Sequence, residues 1–375
     1  MEKRKIIEVS SDTNIGGAGK CLIALLENFD YDKYEVKVIL PPDSLLKPQI
    51  EALGIEVIEV NGIAEKSLDL GSIHRLRKVF KQEKPDLVHT HASMSARIAA
   101  KRAHAKVVYT RHSVFPQSKR LTTFPGKQIN GYINNRYADG IIAVAEAAKD
   151  NLTETGVDEG RIRVILNGVK ALSPVDADEK RANRLRFGVT DENDRVVSIV
   201  ARLEDIKGHD YFIEAADMLL RNGLKAKFLI AGTGSYEEAL KKKVRELGLD
   251  GDVLFTGFIS DVDKLMSITD VQVNASYGTE ATSLALLEGM SLGIPAVVSD
   301  FGGNPGVIKN NENGFVVPKL NSAAIAVGVK KLLEDDELYS RMSKRCHEIF
   351  DTTFTAAAMT RNTEALYDQL LERKM

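Results

Sequence analysis

The sequence predicts an α/β protein made of two doubly wound parallel-sheet domains. Three observations carry the prediction. Short β-rich runs alternate with helical patterns along both halves of the chain, the pattern of a parallel sheet covered by helices on both faces. The 375 residues exceed one ordinary domain and suit two, each long enough to bury its own core. Between the halves, Ala171–Asn183 (ALSPVDADEKRAN) is polar and reads as a linker, which puts the division near residue 170.

In the first half, strands are expected at Lys5–Ser11, Tyr34–Leu40, Ile55–Val60, Asp86–His91, Lys106–His112, Gly140–Ala145 and Arg161–Leu166. Helices are expected at Lys20–Asn28, Ser72–Gln82 and Ala92–Ala103. Asp12–Gly19 (DTNIGGAG) joins the first strand to the first helix, a glycine turn that can approach a phosphate closely. It is not a Walker A loop, because Cys21 follows Gly19-Lys20 where Ser or Thr is required and Asn14 stands at the first glycine position. It is not G-x-G-x-x-G either, because Leu22 takes the last place. His89 and His91, two apart on a strand, project to one face; no third group of sensible spacing completes them as a metal pair. His112 ends the next strand.

The second half repeats the alternation, with strands expected at Arg195–Ala201, Ala226–Ala231, Val253–Thr256, Val271–Ser276, Ala296–Ser299 and Gly314–Val317. Arg202 and Lys207 follow the first of them, two cations five residues apart at a strand end, where a guanidinium fork and an ammonium can bracket a diphosphate. Asp261-Val262-Asp263 precedes a helix at Lys264–Thr269 and is best read as N-capping. Tyr277–Asp300 (YGTEATSLALLEGMSLGIPAVVSD) is the stretch around which the rest is organised. Glu280 and Glu288 are separated by seven residues; Leu284, Leu286 and Leu287 read as the buried face of a helix that Gly293 stops. Thr282 or Ser283 caps that helix, and its free N–H groups favour an anion. The two carboxylates are natural acceptors for sugar hydroxyls on either side of a phosphate.

Composition narrows the setting. The chain is 43% hydrophobic and 28% charged, ordinary for a soluble protein, with no apolar run near the ~20 residues that span a bilayer. Its basic opening leads into a strand rather than a signal-peptide core, and Cys21 and Cys346 have no metal or redox spacing. A cytoplasmic, disulfide-free protein is expected. The net charge of −2 hides an asymmetry: Leu87–Ala138 holds nine Lys/Arg and no Asp or Glu. Within it, FPQSKRLTTFPGKQINGYINNRY interleaves Phe115, Leu121 and Phe124 with Lys119, Arg120 and Lys127. That stretch reads either as a solvated surface or as a contact for anionic lipid or a phosphate-bearing acceptor. No groove-reading or single-strand motif accompanies the charge, so nucleic acid is not expected.

Tyr277–Asp300 resembles the E-x₇-E signature of the retaining glycosyltransferases of family 4, whose GT-B fold sets two Rossmann-like domains across a central cleft. The resemblance implies that Glu280 holds the donor sugar and Glu288 the ribose. It gives Arg202 and Lys207 (R-x₄-K) the diphosphate, and it brings Gly16 and Gly17 to face that group. His112 would contact the donor phosphate and the reacting hydroxyls, while Gly232 and Gly234 turn close to the nucleotide and the backbone near Phe258 meets the base. Thr282, Ser283 and Leu284 would form the helix mouth, and Asp300–Pro305 (DFGGNP) resembles the Gly-Gly-x-Pro turn near the donor. VILNGV resembles the domain junction, and Thr355–Leu371 a helix that crosses back. Residues 1–170 with 355–375 would then bind acceptor, with His89, His91, Lys119, Arg120, Phe124 and Lys127 on the acceptor or membrane side, and 171–354 would bind donor.

One departure is Ala281-Thr282-Ser283 where many relatives have Gly-Phe-Gly, which makes the sugar pocket more polar. The implied reaction moves a sugar from a nucleotide diphosphate, uridine being the common base, to a hydroxyl of a glycan or lipid-linked acceptor. The anomeric configuration is retained, and no obligatory cofactor or metal is needed. The implied location is cytoplasmic, at the inner face of the membrane if the basic stretch touches lipid. A nucleotide-sugar epimerase, a phosphorylase and a non-catalytic sugar-nucleotide binding module share the same features, whereas a dehydrogenase would need the unbroken glycine fingerprint.

Overall fold

The computed structural model describes residues 3–64, 68–91 and 93–372. Ala92, the expected first residue of one helix, and residues 373–375 of the expected C-terminal segment lie outside the described residues. The chain divides into two compact units: residues up to Val169 together with those from Thr355, and Lys170–Phe354.

In the first unit seven strands, β1 (Arg4–Ser10), β2 (Tyr34–Leu40), β3 (Glu56–Glu59), β4 (Leu87–His91), β5 (Lys106–Arg111), β6 (Gly140–Ala143) and β7 (Ile162–Val164), form one parallel sheet in the order 3-2-1-4-5-6-7. Alternation along β1 shows how the sheet is covered. Ile6 packs with Leu22, Leu25 and Leu26 of the helix Gly17–Glu27 and with Leu366, Tyr367 and Leu370 of the helix Ala356–Glu372. Ile7 and Val9 point the other way, onto Ile73, Leu76 and Phe80 of the helix Leu70–Glu83. The C-terminal helix therefore packs within the first unit.

The second unit holds β8 (Arg195–Val200), β9 (Ala226–Ala231), β10 (Val253–Gly257), β11 (Val271–Asn274), β12 (Ala296–Ser299) and β13 (Gly314–Val317), parallel in the order 10-9-8-11-12-13. In each sheet the order reverses once, between β1 and β4 and between β8 and β11. Connections leave in opposite directions at such a point and open a crevice at the carboxyl ends of the strands, where ligands of these sheets collect.

Three sequence expectations are corrected. The expected linker carries a helix, Ala177–Arg186, whose N-cap Asp176 accepts from the Glu179 N–H at 2.8 Å. Its polarity comes from exposure, since only Asn183 is buried. The first helix begins at Gly17 rather than Lys20, so the glycines belong to its first turn, with Gly16 at the N-cap. Asp261 stands at the N-cap of Val262–Met266, but its side chain makes no capping bond; it accepts from Arg186 at 2.5 and 3.2 Å instead.

Candidate functional site

At the reversal of the second sheet, a buried ion pair joins two segments distant in sequence. β8 runs into a tight turn, Asp205–Lys207, ended by Gly208 at φ +74°. A Cβ on Gly208 would stand 2.2 Å from the Ala275 carbonyl oxygen, so only glycine lets the turn lie against the end of β11. Tyr277 completes the attachment: its N–H donates to the Ile206 carbonyl at 2.9 Å and its hydroxyl to Asp205 at 2.6 Å. Lys207 Nζ is thereby held 2.8 Å from the Thr279 carbonyl and 3.1 Å from Glu280 Oε2.

Glu280 is 8% exposed. Its Oε2 also accepts from Asn274 at 3.2 Å and Ser276 at 3.0 Å, while Oε1 carries no hydrogen bond among the described residues. The turn Phe301–Asn304 supports it from beneath: the Gly303 N–H donates to the Glu280 carbonyl at 3.1 Å, and Asn304 bonds Ser299 and Asn274. A short extended segment leads from Glu280 to Ser283, which caps the helix Leu284–Ser291 by accepting from the Leu286 N–H at 3.4 Å. Leu286 and Leu287 are buried, whereas Thr282, Leu284 and Glu288 are half-buried at the mouth and on the open side. Glu288 is the fifth residue of this helix, little more than one turn from its start, not the two that the spacing suggests, because residues 280–283 are not helical.

Arg202 is placed differently. Its guanidinium lies 2.8 Å from Glu204, with the side chain 70% exposed, and no contact joins it to the helix mouth among the described residues. Gly232 and Gly234 serve that strand end first: a Cβ on either would stand 2.0 and 2.2 Å from the carbonyls of Ala201 and Leu203. Phe258 is 72% exposed at the end of β10. In the first unit, a Cβ on Gly16 or Gly17 would meet nothing within 4 Å, so the backbone there is open to an approaching group.

The reversal of the first sheet holds a second cluster. Glu8 of β1 is fully buried and stands beside His89 of β4 in register. Its carboxylate lies 3.0 Å from His89 Nδ1 and 3.1 Å from His91 Nε2, and it accepts from the Tyr367 hydroxyl at 2.8 Å. His89 Nε2 meets the Thr110 hydroxyl at 2.6 Å, and His91 Nδ1 meets His112 Nε2 at 2.8 Å. Two expectations are corrected. His89 and His91 are 2% and 6% exposed under the C-terminal helix, so they do not lie on an open surface that could meet a membrane. The pair also has a third group, because Glu8 brings the three possible ligand atoms within 4.8 Å of one another. Those same atoms are engaged in the hydrogen bonds just described. His112 is half-buried at the rim.

Burial alone would raise the Glu8 carboxyl, but the electrostatic attraction and hydrogen bonds of the His89 and His91 rings outweigh it and hold the group at about 2. Burial lowers His89, and His112 more strongly. Sequence reasoning missed Glu8, Tyr367, Asn274 and Ser276. The one signal for Glu8 was a carboxylate inside the apolar run KIIEVSS.

On the rim of the first unit, the helices Lys119–Thr122 and Gly126–Arg136 and the turn between them expose Phe124 (81%), Tyr132 (70%) and Ile129 (56%) beside Lys119 and Arg120, with Lys127 half-buried. Arg120, Leu121, Phe124, Ile129 and Ile133 line a concavity of about 740 Å³ there. Among the described residues, no helix is long and apolar enough to cross a membrane.

Two parallel sheets with polar clusters at their reversals define a doubly wound α/β protein, and comparison with known proteins identifies the class. The model of the glycosyl transferases group 1 matches residues 181–348, and that of glycosyltransferase family 4 matches residues 15–171. The chain is 30% identical over 323 residues to an Escherichia coli protein, UDP-Gal:alpha-D-GlcNAc-diphosphoundecaprenol alpha-1,3-galactosyltransferase, covering 82% of this chain and 81% of that one. Its fold is similar to a glycosyltransferase from Rickettsia africae (TM-score 0.86, 21% identity, all of both chains). It is also similar to Anabaena HepE in complex with UDP (TM-score 0.84, 22% identity, 97% of this chain and 100% of that one). The chain belongs to glycosyltransferase family 4. It is a GT-B glycosyltransferase that uses a nucleotide sugar.

Two predictions follow from this geometry. Gly208→Ala is expected to cost about 1–3 kcal/mol from backbone strain and the clash with Ala275, while Gly17→Ala, in open space and in a helix, leaves stability equal or slightly raised; chemical denaturation of the two variants checks both. The second concerns acid. Glu8 is lowered in the folded chain from its ordinary 4.5, so its contribution is present above pH 4.5 and is lost as pH falls toward 2. His89 and His112 are also lowered, so proton uptake by the unfolded chain subtracts stability as pH falls below 6.5. Denaturation at stepped pH should show stability falling from 6.5 downward, with a shallower fall between 4.5 and 2 in Glu8→Gln.

Proposed function

We propose that the chain is a retaining hexosyltransferase that moves a sugar from a uridine diphosphate donor to a hydroxyl of a glycan or lipid-linked acceptor. The observation that carries this reading is the Lys207–Glu280 pair at the mouth of the helix capped by Ser283. An ammonium has three N–H groups; two of those on Lys207 are used by Thr279 and Glu280, and the third serves a phosphate oxygen. The first N–H groups of the helix add their partial positive charge. Among the described residues Arg202 makes an exposed pair with Glu204 alone, worth less than about 1 kcal/mol, so its guanidinium can be given up to the diphosphate.

Glu280 is fixed through Oε2, which leaves Oε1 to accept from a sugar hydroxyl. Glu288, about one turn in, accepts from the ribose. As the bond from the anomeric carbon to the leaving phosphate oxygen breaks, positive charge spreads over the ring and negative charge gathers on the diphosphate. Lys207, the helix mouth and Arg202 stabilise the latter. The acceptor oxygen attacks from the face the phosphate leaves, and its proton passes to that departing oxygen, so neither glutamate has to act as nucleophile. No residue in this scheme requires a cofactor or metal. The E. coli relative acts on a diphosphoundecaprenol-linked sugar by its name, which supports a lipid-linked acceptor. The exposed Phe124, Tyr132 and Ile129 beside Lys119, Arg120 and Lys127 suit an anionic membrane surface, and with it a cytoplasmic location.

Thermal-shift measurements across nucleotide sugars should give the largest rise with a uridine diphosphate donor. Lys207→Ala should lower turnover at saturating donor by about 100-fold or more, with a melting temperature showing that the variant is folded; wild-type turnover in a folded variant would contradict the diphosphate assignment. Flotation with vesicles should show binding to anionic but not neutral lipid at low salt, weakened by Phe124→Asp. Equal binding to both would remove the membrane contact.

A further inference from the structure

We propose that Glu8 is a positioning residue that, through His91, fixes His112 in the tautomer with its proton on Nε2 and a bare Nδ1. The inference deepens the reading of His112 as a group that meets the substrate. It follows from counting protons along a chain of buried contacts.

An ionised carboxylate only accepts. His91 Nε2 lies 3.1 Å from Glu8 Oε2, so that nitrogen must carry a proton. In the proposed state His91 is neutral and has one N–H, and since that proton faces Glu8, His91 Nδ1 is bare. His112 Nε2 lies 2.8 Å from that bare nitrogen and must be the donor. The proton of His112 is therefore spent inward, and its Nδ1, which carries no hydrogen bond among the described residues, is left as an acceptor. The reverse arrangement would put a lone pair of His91 against the buried carboxylate.

The surrounding contacts agree with this assignment. Tyr367 donates to Glu8 Oε1 at 2.8 Å. His89 Nδ1 donates to the same carboxylate at 3.0 Å and shares that proton with the Tyr367 oxygen at 2.6 Å, which leaves its Nε2 to accept from the Thr110 hydroxyl at 2.6 Å. Every ring nitrogen between Glu8 and His112 then has one role, set by a single fixed negative charge. Burial lowers His89 and His112, which favours the neutral form of each.

The backbone keeps the chain in line. Glu8 and His89 are register partners across β1 and β4, His91 and Thr110 are partners across β4 and β5, and His112 follows two residues after Thr110 on the same face. Tyr367 comes from the C-terminal helix, so that helix closes the cluster.

The consequence is chemical. A bare Nδ1 accepts from a hydroxyl and repels a phosphate oxygen. His112 is thereby assigned to a hydroxyl of the sugar or acceptor rather than to the diphosphate. It holds that hydroxyl without taking a charge.

The test uses the full chain labelled with ¹⁵N-histidine, with imidazole nitrogen shifts recorded at neutral pH and His112 assigned by its loss in His112→Asn. Wild type should show His112 as a single Nε2–H tautomer. Glu8→Met and His91→Phe, each checked for folding by thermal melting, should show the Nδ1–H form populated beyond about a tenth, a shift needing little more than 1 kcal/mol. Their turnover should fall about 10- to 100-fold with the donor KM within a factor of about two, as for other loss of orientation through a supporting group. A wild-type His112 protonated on Nδ1, or unchanged tautomers in a folded His91→Phe, would overturn the proposal. Where a variant fails to fold, the wild-type spectrum decides alone. His112→Ala with full turnover would instead overturn the substrate role of His112 and leave the tautomer result standing.

Discussion

The second unit depends on an ion pair that water hardly reaches. Lys207 and Glu280 are 12% and 9% exposed at their side chains, and removing charge from water costs several kcal/mol per ion unless partners replace the lost hydration. Here they do: the ammonium has a carbonyl and the carboxylate, and the carboxylate has an amide and a hydroxyl besides. Such a pair contributes little net stability compared with apolar residues of the same volume. What it secures is position. It ties the turn after β8 to the loop after β11, which leads through Ser283 into the helix Leu284–Ser291. Gly208, Tyr277 and the Phe301–Asn304 turn all serve that one juxtaposition.

The first unit solves a related problem with opposite means. Glu8 is as deeply buried as any group in the chain and has no Lys or Arg partner among the described residues. Its charge is carried by donors alone: one tyrosine and two histidines. Both clusters sit where a sheet reverses its strand order, so one topological rule places them. They differ in what they offer a ligand. The second unit presents a cation and a helix start, suited to an anion. The first presents a neutral ring at the end of a proton-counted chain.

How much of this was legible beforehand depended on distance along the chain. The strands could be read because most are short buried runs bounded by turn residues, β3 being the exposed exception, and β2, β9, β12 and β13 match the expected limits residue for residue. Ser283 and Gly293 could be read because capping is local. Arg202 and Lys207 looked alike in sequence, yet one lies on the surface with Glu204 and the other is held inside, a difference set by how the Asp205–Gly208 turn packs. Glu8 was invisible as a site residue because its partners lie 81, 83 and 359 positions away. Polarity misled at residues 177–186, where an exposed helix looks like a linker, and Asp261 misled because a residue at a capping position had a nearby arginine to satisfy instead.

The central claim is that this charge and helix start hold the phosphates of the donor. A crystal structure of the chain with uridine diphosphate tests it most directly. The account predicts phosphate oxygens within hydrogen-bond distance of Lys207 Nζ and of the first N–H groups of the helix that begins at Leu284, with the ribose hydroxyls on Glu288. A diphosphate bound away from both Lys207 and that helix start would contradict it.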